Sequence, residues 1–362
     1  MTVSTEFYVP DFEIEINGRT FSHGSTVDII SVSITETINQ ADSFSITVRE
    51  HNPQDGRFAG NELIWLDSEV FDEGNNIKIE MGYRGNRAVK LKGKIKGMSV
   101  TFPESGAPTL TVRGQSDYAT LFLRTRRKPF NQKTDSEIAS ELAKDLGLSA
   151  DVDKTEVKHP LVSPEGATYA AILLERARRI NYEVAVKSDK LVFKRPTYLV
   201  KASPLFGLAW GHDLRSFTPN VTTGKMASRV EVRNTQTASG GGKAALAGYA
   251  TASQIPPVLG ATSGLVQAEK KFGPSVVLLD DQRLSSQAEA TTLPRAELER
   301  RAIEYITGRG SCIGNPKLLS RIVIELKGLG KRFSGKYYIT STTHTIDASG
   351  YRTEFEAKRD AT

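Results

Sequence analysis

Residues 321–358 read RIVIELKGLGKRFSGKYYITSTTHTIDASGYRTEFEAK, and their alternation decides the fold class. Ile322, Ile324 and Leu326 alternate with Arg321, Glu325 and Lys327. That period of two puts aliphatic side chains on one face of a strand and charges on the other. Gly328-Leu329-Gly330 stops the strand, because glycine tolerates the positive φ of a tight turn. Gly335 then precedes a β-rich run from Tyr337 to Ile346, and Asp347-Ala348-Ser349-Gly350 supplies turn chemistry. Tyr351, Thr353, Phe355 and Ala357 alternate with Arg352, Glu354, Glu356 and Lys358 as a third strand. Sheet, not helix, organises this end of the chain, and the strand is expected to belong wholly to a later β domain.

The same period opens the chain. Phe12, Ile14 and Ile16 alternate with acids and run into Asn17-Gly18, a dipeptide suited to a type I′ hairpin turn. Phe44-Ile46-Val48 and Ile77-Ile79-Met81-Tyr83 repeat the pattern, with Lys78 and Glu80 facing the other way. From Leu91 to Phe102 the apolar parity changes between Ile95 and Met98, and Gly93 and Gly97 lie inside the run, which predicts a bulge or sharp bend. After a turn from Pro103 to Pro108, Leu110 and Val112 close a curved antiparallel set, a small barrel or half-barrel over roughly residues 10–120.

At Thr134 the period changes. Thr134-Asp135-Ser136-Glu137 has the spacing of a capping box, Ile138, Leu142 and Leu146 follow at four-residue steps, and Gly147 is placed to end the helix. A second helix is predicted from Ala167 to Arg179, with Tyr169, Ile172, Leu173 and Ile180 apolar. A hairpin through Tyr182, Val184, Val186, Ser188-Asp189, Leu191 and Phe193 completes an α+β module. Strand-like text returns from Trp210 and includes Val230 and Val232. The tract Ser239–Ser253, which starts Ser239-Gly240-Gly241-Gly242, is too poor in apolar area to hold itself and predicts a mobile loop near 236–256. Pro294 in a first turn, Leu298, Ala302 and Tyr305 on one stripe, and Gly308 past the end predict a helix near 294–307. The chain thus reads as α+β and β-dominated. It is expected to comprise a first antiparallel β-barrel over 1–122, an α+β module over 123–204 and a second small β-barrel over 205–362.

Composition sets limits on function. Hydrophobic residues are 38% and charged residues 25% of 362, ordinary for a folded soluble protein. The single cysteine, Cys312, rules out an internal disulfide framework and fits a reducing compartment. The opening MTVSTEFYVPDFEIEING lacks a basic segment followed by an apolar core, and no apolar run approaches the roughly 20 residues that cross a bilayer. Cytoplasmic synthesis and assembly without membrane insertion are expected. The net charge of +6 arises from 48 basic and 42 acidic residues interspersed along the chain, which describes a mixed-charge surface.

Motifs for chemistry are sparse. The five histidines, His23, His51, His159, His212 and His344, show no metal-ligand spacing. His344 lies in a strand among hydroxyl residues, where cross-strand hydrogen bonding gives it a structural role. No G-x-S-x-G elbow occurs. Gly308–Gly314 has one residue too many for G-x-G-x-x-G and follows a helix, and Gly240–Lys243 misses the P-loop spacing. Asp72-Glu73 and Asp280-Asp281 would serve as paired glycosidase acids only if a cleft joined them, and solvated turns are the expectation. Arg124, Arg126, Arg127 and Lys128 form the one notable basic run, flanked only by Phe122 and Phe130. A nucleic-acid site would interleave more aromatics, so a polar or inter-subunit surface is expected, without specific nucleic-acid binding. No catalytic, cofactor-binding or metal-ligating residue is assigned, and no enzyme activity or cofactor is expected.

The order GLGKRFSGKYYI, THTID and SGYRTEFEAKRD within residues 328–360 resembles the C-terminal signature of the phage late control D family. These are baseplate hub proteins of contractile phage tails and contractile injection systems, also similar to the hub portion of type VI secretion spike proteins. The resemblance implies a homotrimer around a central channel, each subunit carrying two similar barrels. Such a trimer presents six near-equivalent units to the hexameric ring of an inner tube protein and threefold symmetry to a trimeric spike protein, alongside other baseplate components. The family places a comparable basic segment at the junction where Arg124–Lys128 stands. This chain departs from the pattern at Val162-Ser163-Pro164-Glu165-Gly166, where members often carry a glutamine and a Ser/Thr-Asp pair, and at Leu319-Ser320, where a Pro-Gly pair is usual. No needle repeats follow Gly350, so the spike is expected to be a separate polypeptide. Two alternatives come from other classes. A peptidoglycan- or carbohydrate-active tail-tip enzyme would lose turnover on substitution of one carboxylate. A nucleic-acid-binding β-barrel would weaken steeply with salt and with neutralisation of Arg124–Lys128.

Overall fold

Strand outweighs helix among the described residues, so the alternating runs set the architecture: β-dominated α+β, built on a large antiparallel sheet. The computed structural model describes residues 9–22, 29–50, 63–187, 189–237, 243–280 and 284–362. His23, His51, Asp281 and the glycines 240–242 lie outside the described residues. The chain forms two units. One takes Met1–Ala119, Ser311–Ser320 and Ser341–Phe355; the other takes Thr120–Gly310, Arg321–Thr340 and Glu356–Thr362.

In the first unit Pro10–Ile16 and Arg19–Ser22 form the expected hairpin, and Asn17 and Gly18 both take the positive φ of a type I′ turn (47° and 85°). From the late-chain segment Ser341–Asp347, the strands follow in the order Ile29–Thr37, Ser43–Arg49, Thr109–Ser116, Asn86–Thr101, Asn76–Tyr83, Pro10–Ile16 and Arg19–Ser22. The parity change has its physical counterpart in a register shift between Ile95 and Gly97. Gly93 is required nearby, since a Cβ there would lie 2.1 Å from the Gln115 carbonyl oxygen. Phe12, Ile14, Ile16, Phe44, Ile46, Ile77, Ile79 and Met81 all enter one core, each burial stabilising by about 1.5–3 kcal/mol.

Ile29–Thr37 is a strand that the sequence pattern left unassigned. It pairs antiparallel with Ser341–Asp347, placing His344 opposite Ile34. Ser33–Thr345, Thr35–Thr343 and Thr37–Ser341 make a ladder of side-chain hydrogen bonds on one face (3.3, 3.0 and 2.8 Å), while Val32, Ile34, His344 and Ile346 are buried on the other. Residues 350–355 of the last strand lie in this first unit and 356–359 in the second, so the strand is divided rather than wholly part of a later domain.

In the second unit the capping box at Thr134 forms: its Oγ1 accepts from Glu137 N, and Glu137 Oε2 accepts from Thr134 N. The helix runs Asp135–Asp145, with Gly147 at positive φ behind it. The second helix is Tyr169–Ile180, capped by Thr168 and stopped by Asn181 in the left-handed region. Strand Val323–Lys327 buries Ile324 and Leu326 as read, but Val323 on its other face is also buried, against Tyr198, Leu259, Ile303 and Tyr338. The face expected to be charged is therefore covered at Val323 only, while Glu325 is half-buried and Lys327 exposed. Arg321 donates to Glu183 at 3.0 Å, and Tyr338 OH donates to Glu183 at 2.7 Å. Burial, opposed by Arg321 and Tyr338, leaves the Glu183 carboxyl above its ordinary pKa.

Two expectations are corrected here. The tract from 243 onward is not a loop: Lys243–Thr251 is a strand paired along its length with Arg229–Thr237, and Ala252–Gln254 is a 3-10 turn. Backbone hydrogen bonds, not its own apolar area, order it, and its small residues admit a helix at close range. The helix is Gln287–Ala302, so it begins before Pro294 and ends before Tyr305, while Gly308 lies in strand Ile306–Ile313. Ser286 caps it by accepting from Glu289 N. Pro294 sits inside this helix and offers no N–H to the Ala290 carbonyl one turn earlier. Gly248 crosses at that point, where a Cβ would lie 2.0 Å from the Ala290 oxygen.

Candidate functional site

A cleft of ≈ 690 Å³ lies within the second unit, lined by both of the longer helices and by residues 159–165. Periodicity dictates its walls. The helix Tyr169–Ile180 turns Leu173 and Ala177 inward and presents Arg176, Arg178 and Arg179 to the cleft, while Gln287–Ala302 presents Glu289, Leu293, Glu297 and Arg300. The segment Val162–Glu165, where the chain departs from the late control D pattern, forms part of the rim.

The cleft floor is a buried ionic network. Arg176 Nε donates to Asp135 Oδ1 at 2.5 Å, and Arg179 Nη2 donates to Glu289 Oε1 at 2.6 Å. Glu289 Oε2 accepts from both Ser285 N and Ser285 Oγ, at 2.7 and 2.9 Å. Burial pushes the pKa of Asp135 up, but the His159 hydrogen bond and the Arg176 cation outweigh it and hold the carboxyl below its usual range. Glu289 is likewise held low against its burial by Arg179 and the Ser285 hydrogen bonds. Both carboxylates stay ionised because the opposing charges and donors are built in.

His159, scattered in sequence from any partner, is buried at the centre. Its Nε2 lies 2.6 Å from Arg176 Nη2 and 3.2 Å from Asp135 Oδ1, and its Nδ1 lies 3.4 Å from Ser285 Oγ. Tertiary structure thus brings together a serine, a histidine and an aspartate that no local motif announced. They are not arranged for nucleophilic catalysis. Ser285 Oγ donates to Glu289, and an imidazolium formed by general-base action would stand against the Arg176 guanidinium, while Asp135 is already neutralised by that same cation. The arrangement suits holding charge in place.

The other sequence candidates do not converge on the cleft. Asp72 and Glu73 belong to the first unit, next to the turn at Gly74, and Asp280 is exposed. The basic run is split: Arg124, Arg127 and Lys128 are exposed, whereas Arg126 pairs with Glu141 (2.5 Å) and Asp145 (3.0 Å) and stacks 4.1 Å over Phe130. His212 is exposed, and Cys312 is a buried free thiol. Among the described residues no group of His, Cys, Asp and Glu could hold a metal ion, and no helix is long and apolar enough to cross a membrane.

No curated protein matches the chain. Among solved structures, the 43 kDa tail protein of prophage MuSo2 from Shewanella oneidensis is similar at a TM-score of 0.70 and 13% identity, over 97% of this chain and 98% of its own. A tail protein from Neisseria meningitidis MC58 is similar at 0.69 and 13%, over 98% and 97%. The E. coli c3393 protein, described as a component of the type VI secretion system, is similar at 0.55 and 12%, over 96% and 76%. At such identities the likeness is one of fold. A family model described as the Alg8 N-terminal domain matches residues 7–348, and the chain belongs to that family.

Proposed function

We propose that this chain is the structural hub of a baseplate, in a contractile phage tail or contractile injection system, assembled as a homotrimer around a central channel. The observation that carries the reading is the end-to-end likeness of fold to tail proteins of matching extent. The order of residues 328–360, which resembles the phage late control D family, supports it from the sequence side. In this reading residues 1–122, with the late segments 311–320 and 341–355 that join their unit, and the remainder of 205–362 supply two similar β-barrels, and 123–204 the module between them. Three copies then offer six near-equivalent units to a hexameric tube ring and threefold symmetry to a separate trimeric spike, with other baseplate components around them. Work of this kind is geometric, done by packing and main-chain hydrogen bonds over large interfaces. It requires no catalytic residue, cofactor or metal, and a guanidinium beside the one buried histidine of the cleft fits that expectation.

Native mass spectrometry of the purified chain, alone and with its tube and spike proteins, tests the proposal. Three copies of this chain with three of the spike are the expected smallest complex. A stable monomer that binds no spike, or a closed hexamer, would sink it.

A further inference from the structure

Charges on the cleft floor are matched, but those at one end are not. Arg176 meets Asp135, and Arg179 meets Glu289. Arg300, by contrast, shares Glu297 with Arg301: Arg300 Nη2 donates to one Glu297 oxygen and Arg301 Nε to the other at 2.8 Å. The Arg300 Nε is buried with no hydrogen-bond partner among the described residues. Arg178 also lines the cleft, is exposed, and its guanidinium makes no ion pair or hydrogen bond among the described residues. Burial, opposed by Glu297 and reinforced by the Arg178 and Arg301 charges, lowers the Arg300 pKa from its ordinary value. Two guanidinium groups therefore share the Glu297 carboxylate, while the Arg178 charge acts on Arg300 without a carboxylate of its own. A further carboxylate in the cleft would balance the excess positive charge of Arg178 and Arg300.

The rest of the wall says what carries that carboxylate. Leu161, Val162, Pro164, Leu279 and Leu293 supply apolar surface, with Leu161 59% exposed. The volume of ≈ 690 Å³ far exceeds one small anion. Glu165 and Glu175 on the same lining disfavour a polyanion such as nucleic acid. We propose that this end of the cleft docks an acidic segment of a partner polypeptide, one carboxylate held by Arg300 and Arg178 and the flanking apolar side chains against Leu161 and Leu293. The geometry of a guanidinium fork suits this role, because it can meet a carboxylate through two parallel hydrogen bonds. The site is independent of the hub reading and stands or falls by its own chemistry.

The test uses the whole chain and three probes: a blocked Ala-Leu-Glu-Leu-Ala peptide, its Ala-Leu-Gln-Leu-Ala counterpart, and inorganic phosphate. Calorimetry gives affinity, and the arginine Nε–Hε signals in nuclear magnetic resonance give location. The glutamate peptide is expected to saturate at one per chain, to move the Arg300 signal, and to bind roughly tenfold or more tightly than either other probe. Arg178→Gln, an exposed change that leaves the thermal unfolding temperature in place, is expected to weaken it by a similar factor, as is Arg300→Gln. Should Arg300→Gln fail to fold, Arg300→Lys takes its place, keeping the charge but losing the fork. Equal affinity for the glutamine peptide, tighter binding of phosphate alone, or undiminished binding by Arg178→Gln would each overturn the proposal.

Discussion

His344 shows how a polar residue is accommodated at a fully buried strand position. Its Nε2 donates to the Leu318 carbonyl at 2.9 Å and its Nδ1 accepts from the Tyr351 hydroxyl at 2.8 Å, so a single neutral tautomer uses both nitrogens. The expectation of a structural role from cross-strand hydrogen bonding thus has a specific form. Burial, opposed by Glu36 and the Leu318 carbonyl, lowers its pKa from 6.5 to about 4. The unfolded chain takes up this proton near 6.5 and the folded chain only near 4, so the stability present above pH 6.5 is lost as pH falls through that window. The loss amounts to about 3 kcal/mol. Denaturant melts at pH 7 and pH 4 should differ by about that much more in the wild type than in His344→Gln. Identical pH dependence would remove His344 from the account. A neighbouring position is tight for another reason: a Cβ at Gly314 would stand 2.1 Å from the Tyr351 ring. Gly314→Ala is expected to cost about 1–3 kcal/mol in thermal or denaturant melts, by forcing that ring off its hydrogen bond.

At the scale of elements, caps and pairing account for what forms. Thr134→Ala removes one half of a complete capping box and should cost about 1 kcal/mol, with the helix Asp135–Asp145 fraying first in amide exchange. The strand Lys243–Thr251 bears on the expectation of a mobile loop. Between Ala247 and Ala250, the alternate amides that point at Val230–Arg233 should exchange slowly in the free protein, because they are paired across the sheet under the helix Gln287–Ala302. Coil-like exchange there would contradict the pairing. The ionic network is an element-level device too, since it ties Asp135 in one helix to Arg176 in the next. Arg176→Met alone strands a buried carboxylate and should cost about 3–5 kcal/mol, whereas the double change with Asp135→Asn should recover much of that.

On the scale of the molecule, the late strands complete an early core. Ser341–Asp347 pairs with Ile29–Thr37, and Ile346 and Tyr351 join the cluster built by residues 12–112. Removing residues 341–362 should therefore expose the amides of Ile29–Thr37 to rapid exchange and unfold the first unit, not only the later one. Unchanged protection of Val32 and Ile34 in the truncated chain would show that the first unit closes without them.

Alternation, capping and turn chemistry are local, and the sequence by itself determined the elements they govern: the Asn17-Gly18 hairpin, the capped helix at Thr134, the bulge near Gly97 and the strands around Gly328 and Gly350. Elements held by distant partners were not legible in this way. Ile29–Thr37 is a strand because residues 341–347 run beside it, Lys243–Thr251 because Arg229–Thr237 does, and Pro294 is tolerated inside a helix that the rest of the unit encloses. The cleft belongs wholly to this second class. Helical spacing sets Arg176 beside Arg179 within one helix, but the polar groups of its floor come from positions 135, 159, 176, 179, 285 and 289, on segments that no sequence period links to one another. Only tertiary structure set them within hydrogen-bonding distance, because the energy of an ion pair depends on separation and burial in space rather than on spacing along the chain.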